Sequence, residues 1–206
     1  MCMEQTPWDK CIEFHGHSCP GIAIGYRAAL EALKRLETDP AEDEELVAIV
    51  ETDSCGVDAI QVLTGCTFGK GNLIYRDYGK NVFTFGVRGK EKGLRISLKY
   101  GTMEKYAPEE WQALRKKMST QGVTQEEKEK LNAYRAEFMD ILLHEPAENL
   151  FDFKTGELNL PPKARIFNSL QCDFCGEGVM EPRSRVKDGR FICPECFEGN
   201  GKAHEG

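Results

Sequence analysis

Two groups of cysteine and histidine carry the chemistry of this chain. Near the C-terminus, Cys172, Cys175, Cys193 and Cys196 form a CxxC–x17–CxxC array. Each CxxC sits on one tight turn, so its two sulfurs point the same way, and four thiolates suit a tetrahedral zinc ion. The alternative is a pair of disulfides. The total of nine cysteines is odd, and Met1–Lys10 (MCMEQTPWDK) holds no apolar run of the kind that marks a secreted protein. A reducing, cytoplasmic setting is expected, in which paired cysteines hold metal more often than they form disulfides.

The second group is His15-Gly16-His17-Ser18-Cys19-Pro20-Gly21. His17 and Cys19 alternate with Ser18, and in an extended segment residues two apart share a face. Both can therefore reach one ion. Asp53-Ser54-Cys55-Gly56 repeats the theme, with a cysteine where a strand gives way to a helix. A thiolate at a helix N-terminus is favoured by the dipole and the free N–H groups, which should lower its pKa. Imidazole and thiolate together suit zinc and other borderline-soft metals. With Cys55 as a third ligand, an open coordination position would remain, as in catalytic or substrate-binding sites. Cys66, 11 residues after Cys55, is a further candidate as ligand, redox partner or packing residue.

Plainer roles compete with these. Free cysteines are among the most buried residue types and usually pack. His15 fits a supporting or capping role, and Asp53 either orients a ligand or caps a helix. Cys2 and Cys11 show no spacing signal, and His144 and His204 read as surface residues. The run Thr67-Phe68-Gly69-Lys70-Gly71-Asn72 is rich in glycine, but it lacks the order GxxxxGK[ST]. Turn formation is its default reading, with Lys70 and Lys80 as candidates to meet an anion.

These residues need elements to position them. Pro20 suits a first helical turn, and Ile22, Tyr26, Ala29, Leu30 and Leu33 recur at helical spacing behind it. Leu46–Thr52 is apolar and β-branched enough for a buried strand, and a short helix over about Val57–Thr64 follows. Leu73–Tyr78, Val82–Arg88 and Leu94–Tyr100 read as strands. In the last, Leu94, Ile96, Leu98 and Tyr100 are expected on one face. Pro108 opens a helix carrying Trp111, Leu114 and Met118. Thr124 and Glu127 offer a capping box for another, with Leu131, Tyr134, Phe138, Ile141 and Leu142 as its stripe. Helices flanking consecutive strands indicate an α+β fold with an antiparallel-rich sheet. The turn-rich, Pro-Pro-containing stretch Phe151–Pro162 divides a core domain, residues 1–160, from a zinc-binding domain, residues 161–206. Lys163–Asn168 reads as a short connecting strand.

The net charge of −7 gives no global attraction to nucleic acid or to a membrane surface. No stretch approaches the ~20 apolar residues of a membrane span. The tail alone has a basic cast, from Lys163, Arg165, Arg183, Arg185, Lys187 and Arg190.

The segments FHGHSCPG, ETDSCGVDAIQVLTGCTFGKGNLIYRDYGKNVFTF and LRISLK resemble the FmdE family, proteins similar to the FmdE component of formylmethanofuran dehydrogenase. The resemblance is close over about Cys11–Tyr100 and looser to about residue 150. It implies an α+β core, a homodimer, and a metal pocket to which His17, Cys19, Cys55 and Cys66 correspond. Some members carry a C-terminal treble-clef zinc finger, which Cys172–Cys196 resembles. The family name implies a link to a molybdenum or tungsten enzyme of one-carbon metabolism. This chain shows no pterin-binding or iron–sulfur domain, so it is not that dehydrogenase by itself.

Three functions follow as expectations. One is a metal-dependent pocket, an enzyme's if it turns over, with Asp53 or Asp58 moving a proton. Another is a metal or cofactor carrier or assembly accessory, which favours Cys66 in the ligand set. The last is a zinc-finger interaction module, with Arg183, Arg185, Lys187 and Arg190 against phosphates; the overall acidity opposes it.

Overall fold

A computed structural model describes residues 5–199 of the chain. Cys2 and His204 lie outside the described residues. The chain forms two compact units that divide between Lys163 and Ala164.

The first unit opens with helix α1 (Pro7–His15), which the sequence patterning above does not bring out. Thr6 and Asp9 cap it reciprocally, each side chain bonding the other's backbone N–H. The Thr-Pro-x-Asp pattern that signals this start is present in the sequence. The α1 helix ends at Gly16, whose φ of 87° is the left-handed conformation that glycine adopts without strain. Helix α2 (Pro20–Leu36) follows, then β1 (Leu46–Val50), α3 (Gly56–Thr64), β2 (Leu73–Tyr75), β3 (Val82–Val87) and β4 (Lys92–Leu98). Three helices then intervene: α4 (Thr102–Tyr106), α5 (Glu109–Thr120) and α6 (Gln125–His144). A turn of helix, α7 (Ala147–Leu150), leads into β5 (Phe151–Glu157).

The five strands form one sheet in the order β2-β1-β3-β4-β5. Only the β1–β2 pair is parallel. The register places Val50, Phe83 and Ile96 side by side, and Ala48, Phe85 and Leu94 in the next row. These side chains meet Ile22, Ala29, Ile60 and Leu142 of the helices in one buried core. Fully burying an aliphatic or aromatic side chain of this kind contributes roughly 1.5–3 kcal/mol, so this layer dominates the unit's stability. The opposite face is not left open. A Cβ on Gly86 or Gly93 would lie within 3 Å of Leu158 or Leu160, so the chain beyond β5 lies directly over those glycines.

Two expectations are corrected here. Phe151–Pro162 is not a mere boundary, because β5 is a full partner of β4 and pairs from Leu98↔Phe151 to Lys92↔Glu157. The Phe151/Phe153 alternation is hidden among turn-type residues. Tyr100 does not share the face of Leu94 and Ile96: β4 ends at Leu98, and Tyr100 stands fully exposed in the turn before α4. The Thr124–Glu127 capping box is formed, with bonds of 3.2 and 2.9 Å.

The second unit holds two hairpins. One joins β6 (Ser169–Gln171) to β7 (Gly178–Met180), the other β8 (Arg185–Lys187) to β9 (Arg190–Ile192). A helical turn, α8 (Pro194–Phe197), closes it. The expected strand at Lys163–Asn168 is irregular chain, and pairing begins only at Ser169.

Candidate metal centres and the adjoining cavity

The finger's four sulfurs converge. Their ligand atoms all lie within 4.8 Å of one another. Cys172 and Cys175 sit in the β6–β7 turn, while Cys193 caps α8 and Cys196 lies within it. Backbone N–H groups point at the sulfurs, from Cys193 to Cys172 at 3.3 Å and from Cys196 to Cys193 at 3.5 Å. N–H donors from Cys175 and Cys193 lower the Cys172 thiol to about 6. The Cys193 sulfur and burial push Cys196 up to about 12. Four thiols so close cannot all ionise without a cation among them, and a divalent ion of zinc's preference fits this donor set.

In the core unit, the elements bring together more than the spacing indicated. Ligand atoms of His15, His17 and Cys19 all lie within 4.8 Å of one another. His15 is the last residue of α1, and the turn at Gly16 folds the chain back so that its Nε2 comes 3.8 Å from the Cys19 sulfur. Its Nδ1 is held by Asp58 at 2.7 Å. A carboxylate on one imidazole nitrogen orients the ring and leaves the other nitrogen for a metal. The supporting carboxylate is thus Asp58, in the first turn of α3, while Asp53 is exposed.

Cys55 reaches Cys19 through the way α2 and α3 pack. A Cβ on Gly25 would come 2.0 Å from the Gly56 carbonyl oxygen, so the two backbones touch where only glycine fits. One turn earlier, the place a Gly21 Cβ would take is 3.7 Å from both the Cys19 and the Cys55 sulfurs. Gly21, Gly25 and Gly56 therefore set the two thiols side by side at the start of their helices. The expected lowering of the Cys55 pKa does not occur. Burial and the neighbouring Cys19 raise it, and they outweigh the helix N-terminus.

Cys66 sits apart from this group. It is wholly buried in the core, and its thiol donates to the Leu46 carbonyl at 3.3 Å. Burial raises its pKa. Cys11 is equally buried and is pushed up to about 11. Lys70 is not free to meet an anion, because its ammonium donates to the carbonyls of Ala41 and Glu42. The Gly-rich run is a turn tied down by the buried Asn72, which bonds Thr67, Asp43 and Leu46.

Beside His17 and Cys19 opens a cavity of about 470 Å³. Pro20, Gly21 and Ile24 of α2 form one wall, with Ser54 and Asn81 at its edge. The other wall comes from the helices between β4 and β5, through Met103, Trp111, Arg115, Met118, Leu131 and Arg135. Nothing in the spacing of these residues linked them to His17, since Met103, the nearest of them in sequence, lies 86 positions away in the chain. Arg27 fixes the end of this helical arm by donating to the carbonyls of Leu142 and Glu145 at 2.8 and 2.7 Å.

Comparisons with known proteins agree with this architecture. The fold matches the crystal structure of a tungsten formylmethanofuran dehydrogenase FmdE-like protein from Syntrophus aciditrophicus, with a TM-score of 0.62 and 24% identity over 94% of this chain and 91% of that one. A probable S-adenosyl-L-methionine-binding protein of Archaeoglobus fulgidus is 35% identical over 194 residues, 91% of this chain and 51% of that protein. The chain thus spans about half the length of that relative. Residues 165–200 match the prokaryotic dksA/traR C4-type zinc finger. Residues 14–152 match the family described as FmdE, molybdenum formylmethanofuran dehydrogenase operon, and on that match over more than half of its length the chain belongs to the FmdE family.

Proposed function

We propose that this protein is a metal-binding FmdE protein whose core centre uses His15, His17, Cys19 and Cys55, while Cys172, Cys175, Cys193 and Cys196 hold a structural zinc. The observation that carries the reading is the His15–Asp58 contact beside Cys19. It is the carboxylate–imidazole arrangement that supports metal ligands, and the neighbouring donors His17 and Cys19 line a cavity large enough for a small molecule. Two imidazoles and two thiols make a donor set that zinc and similar borderline-soft ions accept. A metal there would supply Lewis acidity to a bound oxygen or sulfur. The chain's own part is to orient the His15 ring through Asp58 and to bound the cavity with apolar side chains. Cys66 stays out of this set, because its thiol is engaged with backbone carbonyls inside the core.

The second unit is read as a treble clef, since a CxxC turn, a hairpin and a short helix bearing the second CxxC succeed one another. Service to a molybdenum or tungsten enzyme of formylmethanofuran chemistry, a homodimeric state and a cytoplasmic setting complete the proposal. The family's operon context supports the first of these. Among the described residues no helix is long and apolar enough to cross a membrane. The exposed cavity next to the donors favours a ligand-binding centre over a pure metal carrier.

Metal content per chain, measured by plasma mass spectrometry on protein purified without chelator, tests the proposal. Wild type should hold two metals. His17→Ala/Cys55→Ala should lose one, and Cys193→Ala/Cys196→Ala the other. A single metal, lost only in the finger variant, would sink the core assignment.

A further inference from the structure

The cavity beside His17 and Cys19 has a chemical character of its own. Arg115 on α5 and Arg135 on α6 both line it. Among the described residues, neither guanidinium forms an ion pair with a carboxylate. The contact that Arg115 does make is with the face of Trp111, its Cζ lying 4.7 Å from the ring centroid. A cation over an indole face is attracted by the ring quadrupole. That contact steadies the guanidinium without using its N–H donors, which stay free for a planar or tetrahedral anion. Ile24, Met103, Trp111 and Leu131 line the same cavity and supply apolar surface. The volume of about 470 Å³ lies within the range of small-molecule sites. With a net charge of −7, the chain as a whole repels anions, so two exposed arginines without an ion-pair partner lining one cavity are a local exception.

We infer that this cavity binds an organic anion with an apolar body, a carboxylate or a phosphate ester, whose charged end is held by Arg115 and Arg135 and whose other end faces His17 and Cys19. The inference names the ligand class of the proposed centre and rests on that reading for the end that meets His17 and Cys19; the arginine end is independent of it.

The test uses the whole chain with Trp8→Phe. The chain has two tryptophans, and Trp8 packs against Tyr26 rather than lining the cavity. The fluorescence of the variant therefore reports Trp111. Benzoate, phenyl phosphate, inorganic phosphate and benzyl alcohol are titrated in turn, and core metal is counted in the same preparation. Benzoate or phenyl phosphate should change the fluorescence saturably, and whichever binds tighter distinguishes a carboxylate ligand from a phosphate ester. Inorganic phosphate and benzyl alcohol should each bind about tenfold more weakly or worse, lacking either the body or the charge. Arg115→Gln and Arg135→Gln should each weaken the aryl anion by about tenfold or more, the effect of losing a charged hydrogen-bond partner, with melting temperature and metal content unchanged. No saturable response to either aryl anion, whatever the metal content, overturns the site. Equal affinity for benzyl alcohol, or indifference to both arginine variants, overturns it as well. Arginine-dependent binding in protein without core metal upholds the anion site and removes the metal reading instead.

Discussion

The two cysteine-bearing regions reach the same kind of donor cluster by opposite routes. In the finger, all four sulfurs come from 25 consecutive residues, and little else holds them. Among that unit's described residues only Cys172, Ile192 and Cys193 are buried, far too little apolar surface to offset chain entropy. In the core unit, the donors come from the end of α1, the loop before α2 and the start of α3, and they rest on an extensive apolar core. Folding of the finger should therefore depend on its metal, whereas the donors of the proposed core centre are positioned by the packing of α1, α2 and α3.

The largest effect should come from chelation. Metal binding in finger-type sites is worth on the order of 10 kcal/mol of folding free energy. Stripping metal should collapse the amide dispersion of residues 165–199 in a heteronuclear NMR spectrum and leave the core signals in place. Melting of both units together would erase the contrast. Next in size is Gly25→Ala. Helix propensity favours alanine by about 1 kcal/mol. The added Cβ, however, would fall 2.0 Å from the Gly56 carbonyl oxygen, and backbone cannot yield cheaply. A net loss of about 3 kcal/mol in urea unfolding is expected, together with loss of core metal and an unaffected finger. A neutral result would mean that α2 and α3 do not set the Cys19–Cys55 distance.

A subtler probe is Asp58→Asn. It keeps the shape at His15 but removes the charge, and core-metal affinity should fall about 10- to 100-fold, as read by competition with a chromophoric chelator. The finger's affinity should not change. The Cys55 thiol has a raised pKa, so the metal must displace its proton; core affinity should therefore weaken as pH falls below that pKa, by about tenfold per unit for this thiol. The smallest effect belongs to Cys66→Ala. It should cost about 1 kcal/mol of stability through lost packing and a lost sulfhydryl donor, with metal content intact. Loss of a metal in that variant would return Cys66 to the ligand set.

Legibility differed between the regions for a physical reason. The finger is local, so a spacing pattern over a few turns of chain described it nearly in full. Within the core, strand β1 and the Thr124–Glu127 cap were readable because periodicity and capping are also local. Strand β5 was not, because its identity depends on pairing with β4 more than 50 residues earlier. His15 appeared as a supporting residue because nothing in its neighbourhood reveals that Gly16 folds it back over Cys19. Asp58 appeared as one of two carboxylates of similar standing, and only the packing of α3 against α1 selected it.

From sequence alone came the donor types, the α+β pattern of the core, the CxxC array and the kinship carried by FHGHSCPG and ETDSCG. Those are properties of short segments, where side-chain chemistry and periodicity act within a turn or two. Only the tertiary structure decided that Gly21, Gly25 and Gly56 let two helices touch and join Cys19 to Cys55, that Cys66 turns inward, and that Arg115 and Arg135 face the cavity of His17. These are long-range matters of close packing, settled by which surfaces exclude water together, and no local pattern encodes them.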